Sequence, residues 1–201
     1  MFSTYLFDLD DTLIDSIDLI MSSFRHTMQT HLGEVRGERA WRSGFGRPLR
    51  TQLERFARSA EEVQAMTSTY VAFADLHHDT MVEAYPGITN ALSVLRRPET
   101  KLGIVTSKNR AGTAHGLRHC GLAQLFDVLV TADDVVDHKP SPTPVIEAMN
   151  RLESTAAETV FIGDSPTDCL AGKSAGVFMA AALWGPFTRE RLEPCQPDHW
   201  L

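Results

Sequence analysis

The sequence predicts an α/β fold in which a parallel sheet is covered by helices on both faces and a helical block is inserted after the first strand. Three observations lead there. Short apolar runs that end abruptly in polar residues recur along the chain, helix-like stretches separate the later ones, and residues 15 to 85 carry helical rather than strand periodicity. Strands that alternate with helices pair in parallel, because a parallel neighbour is reached only by a crossover.

Each element follows from its residues. Tyr5-Leu6-Phe7 closes in Asp8-Leu9-Asp10-Asp11-Thr12, as a buried strand does when it delivers polar groups to a sheet edge, so residues 4 to 8 form the first strand. Ile17, Ile20, Phe24 and Met28 then recur at helical spacing. Ser59 with Glu62 predicts a capping box that opens a helix bearing Val63, Met66, Tyr70 and Phe73 on one face. The block breaks at Ser43-Gly44-Phe45-Gly46-Arg47-Pro48, ends at Ala84-Tyr85-Pro86-Gly87 and contains no lysine. Strands follow at 102–105, 128–130, 159–162 and 177–183, ending in Thr106-Ser107, in Thr131 and, for the third, in Gly163-Asp164. Helices are predicted at 111–118, 142–152 and 167–175. The chain therefore divides into a Rossmann-like core domain, residues 1-14 and 86-201, and a helical cap domain, residues 15-85.

Composition bounds what the fold can do. The 201 residues allow one core with a sizeable insertion. The 43% hydrophobic and 22% charged residues are those of an ordinary folded chain. A net charge of −7, with no stretch that concentrates positive charge, argues against nucleic acid as a partner. The longest nearly unbroken apolar run, Val177 to Trp184, is too short to cross a bilayer. The N-terminus lacks a basic region and meets Asp8 early, so it does not read as a signal peptide, and a cytoplasmic location is expected. Cys120, Cys169 and Cys195 are widely spaced without a CxxC pair, which suggests neither a disulfide framework nor a zinc site. The eight histidines show no ligand-spaced cluster, and His77-His78 is expected on a polar helix face.

In an open parallel sheet, ligands bind beyond the carboxyl ends of the strands. Asp8, Asp10, Thr106, Ser107, Asp164 and Asp168 should therefore share one crevice, with Lys139 in reach from the loop after the third core strand. Carboxylates so close cannot all stay ionised without a cation, and an all-oxygen donor set selects a hard ion, Mg²⁺ foremost. Such an ion beside a lysine and a hydroxyl is a place to hold a phosphoryl group, and Asp8 could attack phosphorus as a carboxylate nucleophile. Taken singly, each of these residues reads equally well as a turn, a helix cap or a surface lysine. Their joint occurrence, in order and each at a strand end, carries the reading.

Phe7-Asp8-Leu9-Asp10-Asp11-Thr12-Leu13 resembles the first motif of the haloacid dehalogenase-like (HAD) superfamily of hydrolases. Thr106 is similar to its second motif, Lys139-Pro140 to its third and Gly163-Asp164-Ser165-Pro166-Thr167-Asp168 to its fourth, and Ala171 to Gly176 matches the stretch that follows. The likeness covers essentially the whole chain. A helical insertion directly after the first motif resembles the type with a four-helix cap, which phosphoglycolate phosphatases, pyrophosphatases, β-phosphoglucomutases, phosphonoacetaldehyde hydrolases and dehalogenases share. The resemblance implies that Asp8 forms an aspartyl phosphate, and that Asp10 protonates the leaving oxygen and then deprotonates the hydrolytic water. It implies Asp8, the backbone carbonyl of Asp10 and Asp164 as Mg²⁺ ligands, with Asp168 as a further ligand or a partner just behind. Thr106 and Lys139 would hold the phosphate oxygens and Ser107 would donate its backbone amide. Asp11 stands where many members carry glycine.

Departures from the other members narrow the reaction. Asp10 argues against a dehalogenase, which needs no second acid, and the lysine-free insertion argues against a Schiff-base hydrolase. β-Phosphoglucomutases carry a histidine where this chain has Ile20, and only His26 keeps that alternative open. The expected function is a Mg²⁺-dependent phosphatase acting on a small phosphate monoester, phosphoglycolate phosphatase-like. Inorganic pyrophosphatase and mutase activity are the alternatives inside the class, and an inactive scaffold is the alternative outside it. A receiver domain shares such an acidic cluster, but its phosphorylated aspartate follows the third strand and it lacks the insertion. Arg47, in the glycine-flanked break, is the candidate for substrate specificity, because a guanidinium fork suits a carboxylate or second phosphate. The expected partner is thus a small anionic phosphorylated substrate, with neither nucleic acid nor membrane, bound by a monomer or homodimer.

Overall fold

The computed structural model describes residues 2–201. Its first strand, β1 (Thr4–Phe7), is followed by β2 (Ile14–Asp15), the helices α1 (Ile17–Leu32), α2 (Glu38–Arg42), α3 (Leu49–Leu53) and α4 (Ala60–Met81), and β3 (Glu83–Ala84). Helix and strand then alternate through α5 (Ile88–Leu95), β4 (Lys101–Val105), α6 (Arg110–His119), β5 (Val128–Val130), α7 (Thr143–Arg151), β6 (Thr159–Gly163), α8 (Pro166–Ala175), β7 (Phe178–Ala181), α9 (Arg189–Leu192) and β8 (His199–Trp200). The Rossmann-like α/β expectation is met. The sheet has six strands in the order β5-β4-β1-β6-β7-β8, and every pairing in it is parallel.

β1 is buried on both faces, so it reads as a continuous apolar run. Leu6 packs with Val105, Phe161 and the apolar faces of α7 and α8, while Phe7 packs on the opposite side with Ile104, Leu117 and Leu92. The chain leaves β1 for β4 and β5 on one side and returns to β6 and β7 on the other. This reversal opens a crevice at the carboxyl end of β1, where Asp8 lies.

The helices between β2 and β3 close a third buried cluster of Met21, Phe24, Met28, Trp41, Phe45, Leu53, Val63 and Met66. Phe24 stacks on Trp41 with ring centroids 4.6 Å apart, an aromatic contact worth about 0.5–1.5 kcal/mol beyond its buried area. The two chain crossings to this block run side by side, Ile14 opposite Ala84 and Asp15 opposite Glu83. The box expected at Ser59 is only half formed. Ser59 accepts the Glu62 amide, but the Glu62 carboxylate turns to the backbone and guanidinium of Arg58, a charged donor that outcompetes the cap amide. Among the described residues no helix is long and apolar enough to cross a membrane.

Candidate active site

Four strand ends deliver the polar groups. Asp8 follows β1 and is 4% exposed; its Oδ1 accepts the Leu9 amide at 2.8 Å and pairs with Lys139 Nζ at 2.9 Å. Lys139 also donates to Asp168 Oδ1 at 2.6 Å and to the Val105 carbonyl at 3.1 Å, so its ammonium is held between two carboxylates and the end of β4. Asp168 sits in the first turn of α8, where Ser165 and Asp168 form a complete capping box. Its Oδ2 accepts from Ser165 Oγ at 2.5 Å and from the Ser165 amide at 3.0 Å. Gly163 makes room for this packing, since a Cβ there would lie 2.5 Å from that of Asp168. Asp164 Oδ1 accepts from Thr12 Oγ1 at 2.7 Å.

Carboxylate oxygens of Asp8, Asp164 and Asp168 lie within 4.8 Å of one another. Burial, reinforced by the Asp168 charge, pushes Asp8 up to about 7 against the pull of Lys139. The same two causes raise Asp164 well above the usual carboxylate range. Burial alone would lower Lys139, but Asp168 and Asp8 outweigh it and hold the ammonium above its usual value. Desolvated, mutually repelling oxygens with no nitrogen or sulfur donor among them fit a hard divalent cation.

Asp10 is set apart from this cluster. Its Oδ1 accepts from Lys108 Nζ at 2.8 Å and Ser16 Oγ at 2.9 Å. Ser16 also donates to Asp11, whose backbone has φ 62°, a left-handed conformation that glycine adopts freely and aspartate tolerates. Burial, with the Asp10 charge behind it, pushes the Asp11 carboxyl up to about 7.

These groups floor a cavity of about 660 Å³ that Asp8, Asp10, Thr106, Ser107 and Asp164 line from the sheet side. Lys139 and Asp168 lie behind that wall. The helical side contributes Ile20, Trp41, Tyr70 and the loop before α3. That loop touches the sheet edge: Ser107 Oγ donates to the Gly46 carbonyl at 2.7 Å, and a Cβ on Gly46, at φ 85°, would lie 2.4 Å from Thr167 Oγ1. Arg47 and Arg50 follow it, both exposed and both lining the cavity.

A sequence profile of the haloacid dehalogenase-like hydrolases matches residues 5–182. The chain belongs to that family. It is 38% identical to the pyrophosphatase PpaX of Halalkalibacterium halodurans over 199 residues, covering 99% of this chain and 92% of the relative. The pyrophosphatase PpaX of Anoxybacillus flavithermus gives the same 38% identity with the same coverage. Among solved structures, a Lactobacillus plantarum protein named by inference as a phosphoglycolate phosphatase superposes with a TM-score of 0.86 at 26% identity, over 100% of this chain and 95% of its own. An acidic cluster suited to a metal ion, Asp8 with Asp164 and Asp168, stands beyond the ends of β1 and β6.

Every residue singled out in the sequence stands at or directly behind this cavity. Four others escaped the reading. Lys108 pairs with Asp10, Ser16 bridges Asp10 and Asp11, Thr12 holds Asp164, and Ser165 caps Asp168. Lys108 had a signal, being the charged residue directly after Thr106-Ser107. The three hydroxyls had none, because which carboxylate a serine reaches is decided by the fold.

Proposed function

We propose that this hydrolase is a Mg²⁺-dependent phosphatase that works through an aspartyl phosphate on Asp8. The observation that carries the reading is the asymmetry of Asp8: Oδ1 is held by Leu9 and Lys139, while among the described residues no hydrogen bond reaches Oδ2 and the side chain faces the cavity. A fixed carboxylate with one open oxygen is an oriented nucleophile. It attacks phosphorus as the bond to the leaving oxygen breaks, and Asp10 gives that oxygen a proton. Water then attacks the aspartyl phosphate, Asp10 takes the water's proton, and Asp8 is released as a carboxylate. Lys108 and Ser16 hold Asp10 Oδ1, leaving Oδ2 to carry the proton.

Asp8, the Asp10 carbonyl and Asp164 would hold Mg²⁺, which when bound supplies charge neutralisation at the phosphoryl oxygens. The occupied oxygens of Asp168 support its role as the anchor of Lys139 and Ser165 rather than as a ligand. Thr106 and Ser107 face the same floor as phosphate donors, with Lys139 neutralising charge from behind. The separate buried cluster and the paired crossings Ile14 with Ala84 and Asp15 with Glu83 support a cap of residues 15–85 on a core of 1–14 and 86–201.

For the substrate we favour pyrophosphate, on the strength of the PpaX relatives and of Arg47, Arg50 and Lys108 around the cavity, which suit a second anionic group. A small organic phosphate such as phosphoglycolate is the second reading, favoured by the room beyond one phosphoryl group and the apolar Leu19, Ile20 and Val71 on the wall. Phosphate release from both substrates with and without Mg²⁺ tests the proposal. At least tenfold higher kcat/KM on pyrophosphate is expected; the reverse preference assigns the organic phosphate, and no Mg²⁺-dependent turnover of any phosphate ester or anhydride sinks the phosphatase.

A further inference from the structure

The sequence reading expects no ligand-spaced histidine cluster and a polar-face position for His78, and the structure corrects both. His78 is 4% exposed, buried where the last turns of α4 meet α6. On α6, His115 and His119 are one turn apart, the spacing that puts two imidazoles on one helix face. All three rings turn toward Asp79. Its Oδ1 lies 2.9 Å from His78 Nδ1, 2.9 Å from His115 Nε2 and 3.3 Å from His119 Nδ1. The His78 and His115 rings stack with centroids 4.0 Å apart, and that of His119 meets His78 edge-on at 5.4 Å.

We propose that His78, Asp79 and His119 form a second metal site, selective for a borderline divalent ion such as Zn²⁺ and distinct from the acidic cluster at the sheet edge. Geometry supports it first. Ligand atoms of His78, Asp79 and His119 lie within 4.8 Å of one another, and Asp79 Oδ1 stands 2.9 Å from His78 Nδ1 and 3.3 Å from His119 Nδ1, near the roughly 3.3 Å that separates tetrahedral ligands of one ion. The donor set supports it second: two imidazoles and one carboxylate, with solvent in a fourth position, suit zinc and its neighbours, whereas the all-oxygen cluster at Asp8 suits magnesium.

The surroundings of the ligands support it third. His78 Nε2 finds no partner, so Asp79 is the single polar group holding a buried ring. On α6, the His119 Nε2 contacts the Val82 carbonyl at 3.1 Å, an outer hydrogen bond of the kind that orients metal-bound imidazoles and fixes their tautomer. Asp79 itself is 62% exposed at the side chain, which leaves the site open to ions from solvent. An ion here would tie the end of α4 to α6, and so the helical block to the sheet.

Cobalt tests the site without relying on catalysis, because four-coordinate Co²⁺ with nitrogen ligands absorbs visible light far more strongly than the six-coordinate, all-oxygen ion. Co²⁺ is titrated into the full chain held in excess Mg²⁺. One equivalent should develop an intense visible band that stoichiometric Zn²⁺ removes, and Zn²⁺ should raise Tm. His119→Gln and Asp79→Asn change exposed side chains and should fold and release phosphate as before, yet each should weaken Zn²⁺ binding by ~100-fold or more, beyond the upper range seen when only an outer partner of a ligand is lost. No intense band in the wild type overturns the site. So does a band that survives both substitutions, or one that Asp8→Asn abolishes in their place.

Discussion

At the sheet edge Asp8, Asp164, Asp168 and Lys139 are between 0% and 4% exposed, with Lys139 pairing Asp8 and Asp168 and Thr12 holding Asp164, whereas across the same cavity Arg47 and Arg50 lie exposed beside a break between short helices. The first set is locked by packing, and removing Lys139 would leave its buried carboxylates uncompensated, a loss of about 3–5 kcal/mol. The second set can change rotamer at almost no cost. On the proposed reading, the groups that meet phosphorus are built into strand ends, and those offered to the rest of a substrate stand on a loop and the helix turn after it.

Substitutions at the two walls should differ accordingly. Asp8→Asn should abolish turnover, with a loss of more than ~10⁴-fold and an unchanged circular dichroism spectrum, because an amide of the same size is no nucleophile. Purified variant within tenfold of wild type would dissolve the distinction between the walls. Asp10→Asn, which takes the acid from one step and the base from the next, should cost ~10²- to 10⁴-fold in kcat. Arg47→Ala should lower kcat/KM by roughly tenfold to a hundredfold on a substrate with a second anionic group, the worth of one charge-assisted bond. On p-nitrophenyl phosphate it should change little, and equal losses on both substrates would move Arg47 to the chemical wall.

The smallest effect is a shift in Tm with pH. Asp8 and Asp11 are raised from 3.8 to about 7, so between those values the folded chain binds more protons than the unfolded one. Stability in chelator should therefore fall as pH rises through that window. Mg²⁺ needs the ionised Asp8, so the Tm gain it gives should be larger at pH 7.5 than at pH 5. Melts with and without Mg²⁺ at the two values check the sign.

The core was legible because its signals are local: an apolar run that stops at Asp8 or Asp164 announces both a buried strand and the polar group it carries. What escaped depends on packing. β8 is two residues long and holds to β7 through Ala180 and Ala181, with no apolar run of its own. Lys108 faces Asp10 across 98 positions of chain, and His78 meets His119 only because α4 lands on α6. The Asp11 backbone is the converse case, where an unusual residue at a familiar position is explained by a positive φ.

The strand that leads into Asp8 is made first and completed late. β1 pairs with Lys101–Ile104 and Thr159–Ile162, so one of its edges stays open until half the chain has been made and the other until most of it has. The buried cluster of the helical block draws its core from residues 21 to 66 and has its contacts at hand much earlier. Pairing across such sequence separation is slow beside local helix packing. A nascent chain released before Thr159 would carry an apolar strand with an unpaired edge, the form most apt to add to another chain's sheet.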